Sequence, residues 1–212
     1  REKESIETLD GVERELDSNA LVIADGERPV ALAGIMGGAN TEVDEQTTDI
    51  VLESAYFEAS RIRQTKAHLG LHTEAAARFE RGADWNLCQR AANRAAMLIA
   101  EYAGGRIATK AIDAYPVPQS TKPISLRLDR ANKLLATHFS PVEAQSILKS
   151  LDCRVEDGGE DMRVTPPSFR PDLLREADLI EELGRIHGYD RIPGSQRANG
   201  PWLTQLAPAL HW

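Results

Sequence analysis

Residues 21–38 read LVIADGERPVALAGIMGG, and this stretch decides the first half of the fold. Apolar residues alternate on both sides of Asp25-Gly26, a dipeptide suited to a tight hairpin, so Leu21–Ala24 and Pro29–Ile35 are expected to pair as strands. Gly34, Gly37 and Gly38 then bracket Ile35 and Met36. Glycines crowded at a strand end point to a close approach of backbone, because a residue without Cβ leaves room and accepts positive φ. Working outward, the polar loop ANTEVDEQTTD leads to IVLESAYF, an expected third strand that carries Glu53 in an apolar run. Helices are expected from Ser60 to Leu69, stopped by Gly70, and from Asp84 to Tyr102, stopped by Gly104 and Gly105. Between them Thr73 is placed to cap the alanine-rich turn of LHTEAAARFERG. ATKAIDAYP closes the unit as a strand, and Pro116, Pro118 and Pro123 space a linker.

Beyond the linker the pattern changes. ISLRL alternates as a strand, Asp129 is placed to cap a short helix through Leu135, and Ser140 with Glu143 forms a capping-box signature ahead of the helix Pro141–Leu151. CRVE and MRVTP flank an Asp157-Gly158-Gly159 turn, and Leu173–Ile186 returns to helix. Strand, helix, helix, strand, strand, helix is the order of a winged helix-turn-helix. The fold class expected is therefore α+β, with a sheet-and-helix portion over residues 1–117, a winged-helix domain over 118–193 and a tail or start of a further domain over 194–212.

Composition narrows the function classes. The chain has 212 residues, 42% of them apolar, which fits soluble packed cores. It holds no apolar run of the roughly 18–20 residues a membrane span requires and no signal-peptide layout, so a cytoplasmic protein without membrane contact is the expectation. Both ends, Arg1 without a Met and PALHW, read as cut. Cys88 and Cys153 belong to no zinc-type pattern and read as reduced core thiols. His68 and His72 have no third ligand type beside them and read as surface or capping residues. The net charge of -8 repels a polyanion at long range, the helix PVEAQSILKSL offers only Lys149 as a cation, and the wing DGGED is acidic, which disfavours independent DNA binding.

Three stretches carry a specific combination: ALAGIMGGANTEV, IVLESAYFEASRIRQTKAHLGLHTEAAARFERG and SFRPDLLREADLIEELGRIHGYDRIP. Together they resemble the beta subunit of bacterial phenylalanyl-tRNA synthetase, over essentially the whole chain to Pro193. The resemblance implies an internal fragment of an alpha2beta2 ligase that uses ATP and magnesium to attach phenylalanine to its tRNA, the adenylate-forming site lying on the alpha subunit. The first unit then resembles the carboxyl-terminal part of the domain that hydrolyses mischarged tyrosyl-tRNA. A pocket that hydrogen-bonds the phenol selects tyrosine strongly, because phenylalanine would leave its polar group unpaired. The matching positions are Gly37, Glu53, Thr73 and Ala75. Glu53 would accept the tyrosine hydroxyl, Gly37 would let backbone approach the aminoacyl group, Thr73 would orient the attacking water or the ester, and Ala75 would set pocket size. By the resemblance, further editing residues of the family, including a histidine, are expected upstream of Arg1, and position 76 holds Ala where the resemblance leads one to expect Ser.

In the winged-helix portion the resemblance implies a Mg2+ site, completed by the alpha subunit, on Asp172, Asp178, Glu181 and Glu182. Asp178, Glu181 and Glu182 stand at i, i+3 and i+4 on one helix face, and hard oxygen ligands suit Mg2+. On the residues alone, the glycines read more readily as turn glycines, Thr73 as a helix cap, Glu53 as a solvent-facing strand residue and the acidic run as a solvated face favoured by the helix dipole. Two other functions stay open at this level: a winged-helix nucleic-acid-binding regulator and a free-standing aminoacyl-tRNA deacylase.

Overall fold

The computed structural model describes residues 4–156 and 161–192. These divide into two compact units meeting at Ser120 and Thr121, with Ser168–Pro171 counted in the first. The elements are helices and small antiparallel sheets, the α+β class expected. Among the described residues no helix is long and apolar enough to cross a membrane.

The first unit opens with a hairpin that the sequence pattern did not announce, β1 (Ser5–Glu7) paired antiparallel to β2 (Glu13–Glu15). Its turn is fixed by charge. The Arg14 guanidinium donates to both Asp10 carboxylate oxygens at 2.8 and 2.7 Å and also to the hydroxyl of fully buried Thr8, a bidentate fork that holds the Asp10 carboxyl far below its usual range.

Next come β3 (Val22–Ala24) and β4 (Pro29–Leu32), antiparallel as expected. Asp25 Oδ1 accepts the backbone N–H of Glu27 and of Arg28, each at 3.0 Å, so the turn is closed by its own first side chain. The strand expected to continue to Ile35 stops at Leu32. Gly34 adopts φ +66°, Ile35 N donates to the Leu32 carbonyl at 3.0 Å, and the reversed chain pairs with β4 as β5 (Met36–Gly37). A Cβ at Gly34 would lie 2.8 Å from Phe57 Cδ2 and 3.0 Å from Ile62 Cδ1, so left-handed backbone and close packing both require glycine there.

Two further strand expectations are corrected. Residues 50–58 and 104–123 hold no regular secondary structure. Their alternating apolar residues lack the paired backbone that turns an apolar run into a strand, and Val51 and Ile112 are each 99% exposed. The helices keep their predicted places: α1 (Ala59–Leu69) ends on Gly70 at φ +64°, α2 (Glu74–Phe79) starts on Thr73, and α3 (Cys88–Ala103) follows a 3-10 turn over Trp85–Leu87 whose cap is Asp84. Ile6, Leu32, Ile35, Phe57, Ile62, Leu71 and Ala76 form the core of this unit, with the Phe57 and Phe79 rings edge to face at 5.1 Å.

The second unit follows the winged-helix order. Strand β6 (Ile124–Arg127) leads into α4 (Leu128–Leu135), which starts one residue ahead of the Asp129 cap expected. Helix α5 (Pro141–Ser150) carries the full Ser140–Glu143 capping box. Then β7 (Arg154–Glu156), β8 (Asp161–Thr165) and α6 (Glu176–His187) complete the unit, and the sheet order is β6-β8-β7, all antiparallel. The Asp157-Gly158-Gly159 turn and the tail 194–212 lie outside the described residues. Along β6 the alternation is plain, Ile124 and Leu126 buried and Ser125 and Arg127 exposed, which sets the inner face against Leu148, Val164, Leu179 and Leu183.

Candidate functional site

Thr73 joins two stretches that lie far apart in sequence. Its hydroxyl donates to the Ile35 carbonyl at 2.7 Å and accepts from Ala76 N at 3.0 Å, so one side chain both caps α2 and ties the HTEA turn to the GIMGG loop. Gly37 sits two residues past that carbonyl. Its own carbonyl accepts from Leu9 N at 3.0 Å, and a Cβ there would come within 3.1 Å of Leu9 Cδ1. At neighbouring Gly38 a Cβ would stand 2.6 Å from the Val30 carbonyl oxygen, too close for any side chain.

Ala75 is exposed on the first turn of α2, while Ala76 is fully buried. Glu53 lies in the extended stretch 50–58 and is surface-accessible. The chain beside it is pinned: Ser54 Oγ donates to the Cys88 carbonyl at 2.8 Å, Tyr56 meets Trp85 edge to face at 6.0 Å, and Phe57 enters the core. Partial burial pushes the Glu53 carboxyl upward, and among the described residues that carboxyl makes no hydrogen bond or ion pair. Thus Thr73 and the Gly37 loop are joined directly, whereas Glu53 and Ala75 stand at the surface and their side chains are bonded to neither.

The acidic residues at the head of α6 are used one by one. Asp178 accepts Leu174 N at 3.0 Å, Arg175 N at 2.8 Å and Arg175 Nη2 at 3.3 Å. Desolvation pushes its carboxyl up, and these donors outweigh it, so the net shift is downward. Glu182 is buried and takes the Arg185 fork, with Nε at 3.2 Å and Nη2 at 2.5 Å. Asp172 and Glu181 are exposed. Among the described residues no three His, Cys, Asp or Glu side chains are grouped to hold a metal ion, so the four positions do not fit Mg2+ by themselves.

Sequence reasoning passed over Glu176. Its carboxylate, 14% exposed, accepts from Arg127 N and Nε at 3.0 Å, from Arg127 Nη2 at 2.6 Å and from Arg130 Nη1 at 2.6 Å, and Arg127 above all pulls its pKa down to about 2. The partners lie 46 and 49 positions away, so no local pattern could have pointed to it.

Residues 1–104 match the family model described as the B3/4 domain, and residues 124–189 match the tRNA synthetase B5 domain. The phenylalanine–tRNA ligase beta subunit of Moorella thermoacetica is 48% identical over 209 residues, covering 99% of this chain and 26% of that protein. That of Geobacter sulfurreducens is 53% identical over 188 residues, with 87% and 23% covered, and that of Salinibacter ruber is 46% identical, with 95% and 24% covered. The chain spans about a quarter of the length of the curated relatives it matches. With two family models in series and such identity along nearly its whole length, this chain belongs to the phenylalanine–tRNA ligase beta-subunit family, in the part that carries B3/4 and B5.

Proposed function

We propose that this chain acts within a cytoplasmic phenylalanine–tRNA ligase, where residues 1–117 contribute to hydrolysis of mischarged tyrosyl-tRNA and residues 118–193 to assembly with the alpha subunit. The bond from Thr73 to the Ile35 carbonyl carries this reading, because it brings the HTEA turn onto the glycine loop that holds Gly37. Glu53, on a pinned but irregular stretch with its carboxyl unbonded among the described residues, would accept the phenol hydroxyl. A second pocket built on that polar contact separates tyrosine from phenylalanine more sharply than size does.

The hydrogen bonds also limit what Thr73 does. A hydroxyl has one proton, and here it is committed to Ile35. Thr73 therefore orients the attacking water by accepting from it and gives no hydrogen bond to the developing oxyanion. The ester is already activated, so positioning of water suffices without a covalent nucleophile. Gly37, whose missing side chain is matched by Leu9, would approach the aminoacyl group through its backbone, and Ala75 would bound the pocket from its exposed place on α2.

In the alpha2beta2 enzyme ATP and the adenylate belong to the alpha subunit, and tRNA is held by the assembly. A Mg2+ site at the head of α6 is proposed only as one shared with the alpha subunit, since Asp172 and Glu181 are exposed there and no trio of ligands is grouped among the described residues. The test is deacylation of tyrosyl-tRNA by the assembled enzyme. Glu53→Ala and Thr73→Ala should each slow it about tenfold or more, a loss of roughly 1.4 kcal/mol of transition-state binding, with phenylalanine charging unchanged. Wild-type deacylation by Glu53→Ala would refute the assignment.

A further inference from the structure

We infer that the head of α6 is closed by this chain's own arginines, so that the B5 portion folds and neutralises its acidic residues without a divalent cation. This goes beyond the proposed shared Mg2+ site and stands independently of it. Three carboxylates, Glu176, Asp178 and Glu182, fall within seven helix positions, and each already has a guanidinium against it. Glu182 matters most, because its side chain is 8% exposed and a buried carboxylate without a counter-charge is strongly destabilising. Arg185 meets it through two nitrogens, the planar fork that suits a carboxylate. Asp178 performs a different task. By accepting Leu174 N and Arg175 N it fastens the incoming loop to the first turn of the helix and answers backbone donors that have no partner inside the helix. Glu176 links the same turn to the end of β6 through Arg127 and to α4 through Arg130.

Mg2+ demands near-octahedral oxygen donors and keeps several waters. An ion approaching Asp178 or Glu182 in the assembled enzyme meets oxygens that already accept from Arg175 or Arg185, and the positive guanidinium beside each opposes a second cation. The arginines and the ion thus compete for the same carboxylates, and in the chain alone the arginines hold them.

Thermal unfolding of the 212-residue chain in EDTA and in about 10 mM Mg2+, at matched ionic strength, tests this. The wild-type Tm should agree in the two conditions to within about 1 °C, while Asp178→Ala and Arg185→Ala should each lower Tm by about 4 °C or more in both. A wild-type Tm raised several degrees by Mg2+ would overturn the inference, as would losses in the variants that appear only with Mg2+. Metal analysis of the assembled alpha2beta2 enzyme after dialysis separates the two claims. Absence of bound Mg2+ there removes the shared site and leaves the arginine closure standing, whereas a Mg2+-dependent Tm in the lone chain removes the closure and leaves the shared site.

Discussion

Helices α3 and α6 are both amphipathic, yet they end differently. In α6, Leu179, Ile180 and Leu183 are buried against the sheet of the second unit, with Leu179 and Leu183 at 0% exposure. In α3, sixteen residues long, no residue is buried, and Met97, Ile99 and Tyr102 are exposed. Helical periodicity thus specifies an apolar face and does not supply its cover, because burial needs a second surface brought up from elsewhere in the chain. The first unit carries the same lesson in its extended parts, where Val51 and Ile112 follow strand-like patterns and meet no ladder.

The largest effect that can break this contrast is a pair of truncations. Leu148→Ala, at a fully buried position of the second unit, should cost about 3 kcal/mol in denaturant unfolding, while Met97→Ala on α3 should cost less than about 0.5 kcal/mol. Equal losses would mean that the α3 face is covered in solution. A smaller effect concerns Glu176→Gln, expected to destabilise the second unit by on the order of 1–2 kcal/mol at neutral pH, after screening of its partly exposed arginine partners is allowed for. With a folded pKa near 2 against an ordinary 4.5, Glu176 stabilises the fold above about pH 4.5, and the difference between wild type and variant should close as pH falls toward 2. A gap that persists in acid would show that its ionised form is not what matters.

The smallest effect has the opposite sign. Burial raises the Glu53 carboxyl, so the folded state prefers the neutral acid and loses stability as pH rises through the folded pKa. Glu53→Gln, neutral throughout, should melt slightly above wild type at pH 7 and level with it in acid. A lower Tm at pH 7 would mean that the carboxylate is bonded rather than merely desolvated. Stability gained by removing a charge at the expense of activity is the pattern expected of a functional residue.

Much of the second unit was legible because its signals are local: alternation in Ile124–Arg127, the Ser140–Glu143 box and the period of α6. In the first unit the Asp25-Gly26 turn and the Thr73 cap were legible for the same reason. The end of β4 was not, since Gly34 reads equally as a strand residue until its φ of +66° and its packing against Phe57 are seen. At the candidate site the glycine loop and the Thr73 turn could each be picked out, but their junction through the Ile35 carbonyl spans 38 positions. The acidic run on α6 was likewise visible, while the partners of Glu176, Arg127 and Arg130, lie 49 and 46 positions away and were not.

By itself the sequence determined which segments turn, which are helical and which family the chain resembles, because caps, turn dipeptides and periodicity act over four or five residues. Only the tertiary structure decided that Ala76 rather than Ala75 enters the core, that the Glu53 stretch forms no strand, and that Glu176 answers to Arg127 and Arg130. Those outcomes depend on which surfaces meet and how far water is excluded between them, and neither quantity is carried by neighbouring residues along the chain.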